Sequence, residues 1–163
     1  MNIRAMTEND RAAVAEVIGS AGVFSAEEQR VAIEMIDSYL RRDGEDYDVA
    51  VAEDETGPAA GFVCYGPTPL TEGVWDMYWL AVHGGRRKQG FGRALLAWLE
   101  KTAEEKKTRL IVVETSSTPP YAGTRRFYER MGYAETARIR DFYRPGDDRI
   151  IYCKYLLNQG GVS

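Results

Sequence analysis

Apolar and polar positions along the 163-residue chain alternate in two rhythms. Short runs with a period of about two, or continuous apolar runs bounded by turn residues, predict strands at 2–6, 47–53, 59–65, 74–82, 109–115, 133–139 and 149–157. Segments with a period of about 3.6 predict helices over 7–18, 25–42, 90–106 and 121–131. Thr7 with Asp10 marks the first helix start, and the Gly19–Gly22 stretch breaks that helix. Ser25 followed by Glu27 and Glu28 supplies a side-chain cap and first-turn acidic charge for the second, which ends near Arg42 and Gly44. Asp54-Glu55-Thr56-Gly57-Pro58 reads as the turn of a hairpin between the second and third strands. Leu110-Ile111-Val112-Val113 is continuously apolar, which suits a strand covered on both faces. No repeat, linker or low-complexity tract interrupts the order. The expectation is a single domain over 1–158 with a loose tail at 159–163.

One junction carries chemistry. The strand at 74–82 meets the helix at 90–106 through Arg87-Lys88-Gln89-Gly90-Phe91-Gly92, running on into Arg93. The first amide N–H groups of a helix lack intrahelical acceptors, and the aligned peptide dipoles add partial positive charge there. Glycines let a backbone approach a phosphate without a Cβ in the way. Arg86, Arg87, Lys88 and Arg93 add full positive charges. This junction reads as a diphosphate cradle.

Charge and cysteine content narrow the picture. The net charge of −4 argues against nucleic-acid binding and makes 86–93 a local basic cluster on an acidic protein. Cys64 and Cys153 are far apart, match no metal-ligand spacing and sit in apolar strand-like segments, so both are expected to be buried free thiols. The sequence has neither a signal pattern nor an apolar run of membrane-spanning length, so a cytoplasmic protein without membrane association is expected.

Two motifs in this order resemble the GNAT superfamily of acyl-CoA-dependent N-acetyltransferases. The family's diphosphate motif matches at Arg87, Gly90 and Gly92. Its later motif, an aromatic-Tyr pair followed by Gly-aromatic, matches Phe127-Tyr128-Glu129-Arg130-Met131-Gly132-Tyr133. The resemblance covers nearly the whole chain. It implies an α/β fold with a mixed, mostly antiparallel sheet of about seven strands and about four helices. It also implies acetyl-CoA as cofactor and direct transfer of the acetyl group to an amine, with no covalent enzyme intermediate and no metal.

The resemblance further assigns roles. The backbone from Lys88 to Arg93, including Gln89 and Phe91, would cradle the diphosphate. Backbone groups of Leu80, Ala81 and Val82 would pair with the pantetheine arm, where the family's strand splays from its neighbour. Tyr128 would donate a proton to the departing thiolate, although a half-buried core tyrosine is the plain alternative. The position of the family's glutamate base falls on Asp76, within the otherwise apolar and aromatic Val74–Trp79 segment. Burial would favour such a base, whereas a strand-end carboxylate open to solvent would need no special role. Glu114, beside Thr115-Ser116-Ser117, is the competing base. Many family members carry an Asn where Tyr121 stands, so that cofactor contact departs from the pattern. Thr124 and Arg125 on the same short helix are further candidates for touching the cofactor. His83, the only histidine, is expected to be exposed or to pack in the loop.

The acceptor pocket implied by the family draws on Phe24, Tyr39, Trp75, Tyr78, Asp141, Phe142, Tyr143, Asp147 and Asp148. Aromatic walls with carboxylates suit a primary ammonium, though Gly146-Asp147-Asp148 also reads as a hairpin turn. Phe24, Trp75, Tyr78 and Tyr143 are the expected substrate contacts. The expected acceptor is a small-molecule, amino-acid-derived or peptide amine, and the protein is expected as a monomer or homodimer. A non-catalytic acyl-CoA sensor and a nucleotide-binding module remain rival readings. The second lacks a Walker lysine-serine or a ribose-binding acid at dinucleotide spacing.

Overall fold

The computed structural model describes residues 1–42, 46–55 and 57–156. Gly44, Thr56 and the expected tail at 159–163 lie outside the described residues. The strands are β1 (Asn2–Ala5), β2 (Asp48–Glu53), β3 (Ala59–Pro67), β4 (Val74–Val82), β5 (Leu110–Ser116), β6 (Ala134–Arg144) and β7 (Asp147–Tyr155). The α-helices are α1 (Arg11–Ser20), α2 (Ala26–Arg41), α3 (Phe91–Glu105) and α4 (Ala122–Arg130). The seven strands form one sheet in the order β1-β2-β3-β4-β5-β7-β6. The β4–β5 pairing is parallel, and β1–β2, β2–β3, β5–β7 and β6–β7 are antiparallel. The mixed, mostly antiparallel sheet with four helices is the architecture expected from sequence. Among the described residues no helix is long and apolar enough to cross a membrane.

The chain divides into two compact units, one made of Met1–Gly66 and Tyr78–Leu99, the other of Pro67–Met77 and Glu100–Ser163. In the first, Val14, Val17 and Ile18 of α1 and Ala32, Ile36 and Tyr39 of α2 pack with Val49, Val51, Phe62, Cys64 and Ala81 of the strands. Their spacing puts one stripe of each helix on the sheet residues, so burial of that stripe drives both helices to form. Ser25 caps α2 as expected: its Oγ accepts from the Glu28 N–H at 3.2 Å, and its own N–H donates to Glu28 Oε2 at 2.7 Å. In the second unit, Ile111, Val113, Ile150 and Tyr152 are buried together with Tyr128 and Tyr133.

Several boundaries and exposures differ from expectation. α1 continues through Gly19 to Ser20, and the chain turns only at Gly22, whose φ of 69° suits glycine. Strand β5 is not covered on both faces: Ile111 and Val113 are buried, Leu110 and Val112 half-buried. Cys64 is buried, but Cys153 is half-buried because it falls one position off the parity that buries Ile150 and Tyr152. β6 runs five residues past the expected end at Ile139, so residues 141–144, which the expected bounds leave between two strands, belong to the strand. The hairpin closes on Pro145-Gly146 alone, with Gly146 at φ 82° and its N–H donating to Asp141 Oδ1 at 2.7 Å. β6 is exposed along its whole length, so burial could not mark its end in the sequence.

The entry into α1 is held by charge. Asp10 receives both terminal nitrogens of Arg4, at 2.7 and 2.8 Å, and both the N–H and the hydroxyl of Thr7, at 2.8 and 2.9 Å. The same guanidinium reaches Glu53 across the β1–β2 pair at 2.6 Å. Hydrogen bonding from Arg4 holds the Asp10 carboxyl down at about 2. A depressed carboxyl stabilises the fold above its ordinary range, and that contribution drains away as pH falls toward about 2. Thermal melts of Asp10→Asn should show a loss of about 1 kcal/mol or more at pH 7. The difference from wild type should shrink as pH falls below about 4.

Candidate functional site

The glycine-rich junction lies wholly in the first unit, between β4 and α3. His83 begins it: its N–H donates to Ala60 O at 2.8 Å, and its Nδ1 accepts from Gly85 N–H at 3.1 Å. Gly84 N–H donates to Ser20 Oγ at 3.0 Å, which ties the loop to the end of α1. A Cβ at Gly84 would stand 2.4 Å from the Ser20 carbonyl oxygen, so only glycine fits this approach. The loop then passes through two left-handed residues, Lys88 at φ 61° and Gly90 at φ 92°. Ala94 N–H donates to Gly90 O at 2.9 Å, the first bond of α3. Phe91 is buried and anchors that helix start, while Leu95, Leu96 and Leu99 fix its inner face.

The cations around the loop are not equivalent. Arg87, Lys88 and Arg93 are exposed, and among the described residues no ion pair involves them. Arg86 is half-buried and paired with Asp54. No acidic residue occupies the first turn of α3, so the partial positive charge of its N-terminus is not neutralised there. A helix start with no acidic residue in its first turn, a glycine in left-handed geometry and three uncommitted cations fit the demands of a diphosphate. On the preceding strand, Ala81 is buried and Leu80 and Val82 are half-buried. The parallel β4–β5 ladder runs from Val74↔Leu110 to Met77↔Val113, while β4 itself continues to Val82.

Among the expected substrate contacts of this unit, Phe24 packs edge-on against Trp79 with ring centroids 5.1 Å apart. Tyr78 is exposed and meets Tyr47 edge-on at 6.2 Å. Trp79 and Tyr78 are adjacent along β4, so the rings that meet Phe24 and Tyr47 leave the strand on opposite faces.

The second unit holds the candidate acid and bases. Tyr128 is only 4% exposed. Its ring lies between those of Tyr133 and Tyr152, at 5.9 and 6.0 Å, with the neighbouring Phe127 at 5.6 Å. Burial pushes its phenol well above the ordinary range, so it carries its proton throughout the physiological pH range. Desolvation raises Tyr133 and Tyr152 as well. Tyr152 is fixed by a bond from its hydroxyl to Glu129 Oε1 at 3.1 Å.

Asp76 is half-buried, and Thr68 Oγ1 donates to its Oδ2 at 2.7 Å. Thr68 lies in the Pro67–Pro69 stretch, where nothing in the sequence marks it as a partner of Asp76. Glu114 is exposed and ion-paired with Arg149, whose guanidinium also covers the Phe142 ring at 4.8 Å. Trp75, Tyr121 and Thr124 are half-buried, and Tyr143 is exposed with an edge-on contact to Phe142. Arg125 spends its Nη1 on the carbonyls of Ser116 and Thr118, at 2.7 and 3.0 Å. Ser116 in turn donates to the buried Asp147 at 2.5 Å. These bonds tie α4 to the end of β5 and to the start of β7. They went unseen in the sequence because serine, threonine and aspartate read there as turn residues.

Residues 45–135 match the family described as the acetyltransferase (GNAT) domain. A solved protein from Desulfovibrio desulfuricans, assigned to the GNAT family of acetyltransferases, shares 41% identity with a TM-score of 0.89, over 96% of this chain and 99% of that one. An aminoglycoside 6'-N-acetyltransferase complexed with coenzyme A shares 18% identity with a TM-score of 0.77, over 99% of this chain and 100% of that one. The ribosomal-protein-S18-alanine N-acetyltransferase from Escherichia coli shares 22% identity with a TM-score of 0.76, over 99% and 97%. The last two show likeness of fold alone. No curated protein matches the chain.

Two glycines give opposite expectations. Gly84→Ala drives a Cβ into backbone and should destabilise by about 1–3 kcal/mol in urea denaturation. Gly123 sits in α4 with open space around its Cβ position, and Gly123→Ala should stabilise by about 0.5–1 kcal/mol in the same assay.

Proposed function

The chain belongs to the GNAT family of acetyltransferases, and on that premise we propose that it moves the acetyl group of acetyl-CoA to an amine of a small molecule, amino acid derivative or peptide. The observation that supports this most directly is the loop before α3, with Arg87, Lys88 and Arg93 exposed beside an uncompensated helix start. Residues 1–158 act as a single catalytic domain in this reading, in the cytoplasm and as a monomer or homodimer.

Acetyl-CoA, when bound, supplies an acetyl group activated as a thioester. The loop residues Arg87, Lys88, Gln89, Gly90, Phe91, Gly92 and Arg93 hold its diphosphate through backbone N–H groups and the exposed cations. Leu80, Ala81 and Val82 offer backbone groups to the amide-like arm, and Tyr121 and Thr124 add contacts from the short helix.

Tyr128 holds a proton at its phenolic oxygen and delivers it to the leaving sulfur. A thiol has an ordinary pKa of about 8.5 and a phenol about 10, so the transfer needs a site that tunes the phenol toward the thiol. Packing among Phe127, Tyr133 and Tyr152 supports this role by keeping the ring immobile, while the upward push of burial on the phenol is what cofactor binding has to offset. The acceptor arrives as an ammonium and must lose a proton before its lone pair attacks. Asp76 or Glu114 takes that proton, through a water where the side chain is too short to reach. Asp76 is favoured by its half-buried place and its bond from Thr68, since Glu114 is engaged by Arg149. Phe24, Trp75, Tyr78 and Tyr143 are the proposed contacts for the body of the acceptor.

Turnover with free-thiol detection across an amine library tests the reading. Tyr128→Phe should lower kcat by about 10²-fold while the Kd for coenzyme A stays within about twofold of wild type. A wild-type rate would remove the acid role. Gly90→Val or Gly92→Val should abolish coenzyme A binding in isothermal titration, the former because φ 92° is strained for any branched residue. Binding of coenzyme A without turnover of any amine would instead favour a non-catalytic acyl-CoA sensor.

A further inference from the structure

We propose that Arg86 is a positioning residue that braces the diphosphate loop against the β2–β3 turn, and that affinity for coenzyme A depends on this brace. The inference rests on reading the Arg87–Gly92 loop as the diphosphate cradle. By sequence Arg86 looks like one more phosphate-binding cation, but its guanidinium is already committed on three sides. Nη2 donates to Asp54 Oδ2 in the segment that follows β2. Nε donates to Gln89 Oε1 at 2.9 Å, inside the loop. The guanidinium plane covers the Phe91 ring at 4.8 Å, at the first residue of α3.

One planar side chain therefore touches the β2–β3 turn, the middle of the loop and the start of the helix. Its own backbone is pinned as well, since Arg86 N–H donates to His83 O at 2.8 Å. Gln89, held by Arg86 on one side, reaches back to Gly85 O at 3.4 Å on the other. Only a guanidinium meets this demand, because it offers several donors in a fixed fork and a flat face that stacks on an aromatic ring.

The loop needs such a brace. Lys88 adopts φ 61°, a left-handed conformation that strains a residue with a Cβ. Gly90 at φ 92° is freer than any other residue type to leave its conformation. A loop that must present its amides to an anion gains affinity when it is held in that shape beforehand. Arg86 fixes positions 89 and 91 on either side of Gly90, so the segment between them has little room to relax.

Asp54→Asn separates a brace from a ligand. If Arg86 bound phosphate directly, losing Asp54 would free the guanidinium and remove a repelling carboxylate, and coenzyme A would bind equally well or more tightly. If Arg86 is a brace, Asp54→Asn weakens coenzyme A about three- to tenfold in isothermal titration, although it removes negative charge beside a basic loop. Arg86→Lys should weaken binding to a similar degree, because one ammonium cannot serve Asp54, Gln89 and the Phe91 face together.

Amide hydrogen exchange at Arg86 and Ala94, whose N–H groups donate to His83 O and Gly90 O at the two ends of the loop, supplies a readout in the free protein that needs no ligand. Exchange there should quicken in Asp54→Asn while the rest of the chain is unchanged. Unchanged or tighter coenzyme A binding by Asp54→Asn, or unchanged exchange at Arg86 and Ala94, overturns the brace. Wild-type protein that fails to bind coenzyme A would instead overturn the cradle reading, and the exchange measurement would still decide whether Arg86 holds the loop.

Discussion

Parallel pairing of β4 with β5 is the constraint from which the candidate site follows. Two parallel neighbours cannot be joined by a tight turn; the chain must leave the end of one and travel back to the beginning of the other. Here α3 makes that return, over Phe91–Glu105. The return forces a helix N-terminus to sit just past the carboxyl end of β4, with a short loop between. A site for a negative group at that place is thus a property of the connection before any side chain is chosen. The side chains then elaborate it: glycine where the backbone turns left-handed, exposed cations around the turn, and Phe91 to seat the helix start.

The same economy appears in the second unit, where position is set by polar ties and chemistry by apolar enclosure. Arg125, Ser116 and Asp147 hold the short α4 through charged and backbone hydrogen bonds. A helix of nine residues has little stability of its own, so its placement must come from such contacts and from burial of Tyr128. The aromatic rings around Tyr128 shield the phenol from water, which holds the proton on it and also restricts the ring.

Much of this organisation was legible in the residues. Ser25 with Glu28 announced a capped helix, the alternation at 47–65 a hairpin, and the glycine-rich turn a strand-to-helix junction, because each signal acts over a few residues. Partnerships across long separations were not legible. Nothing local distinguishes Arg86 from Arg87, yet one is paired with an aspartate 32 residues away and the other is exposed. Thr68 and Asp76 are joined by a hydrogen bond that neither residue advertises. The true length of β6 was hidden for a different reason. Its residues are exposed on every position, so they carry no hydrophobic rhythm, and pairing with β7 sustains the strand.

That long outer strand presents a row of backbone donors and acceptors along one side of the sheet, the arrangement on which unwanted copies of a protein stack into fibres. β6 is poorly suited to such growth. Glu135, Arg138, Arg140, Asp141 and Arg144 scatter charge of both signs along it, and the register breaks between Ile139 and Arg144, where Asp141 turns left-handed. An incoming strand would meet a kinked, charged template instead of a flat apolar one. The irregular hairpin is therefore a poor template for edge-to-edge growth into fibres.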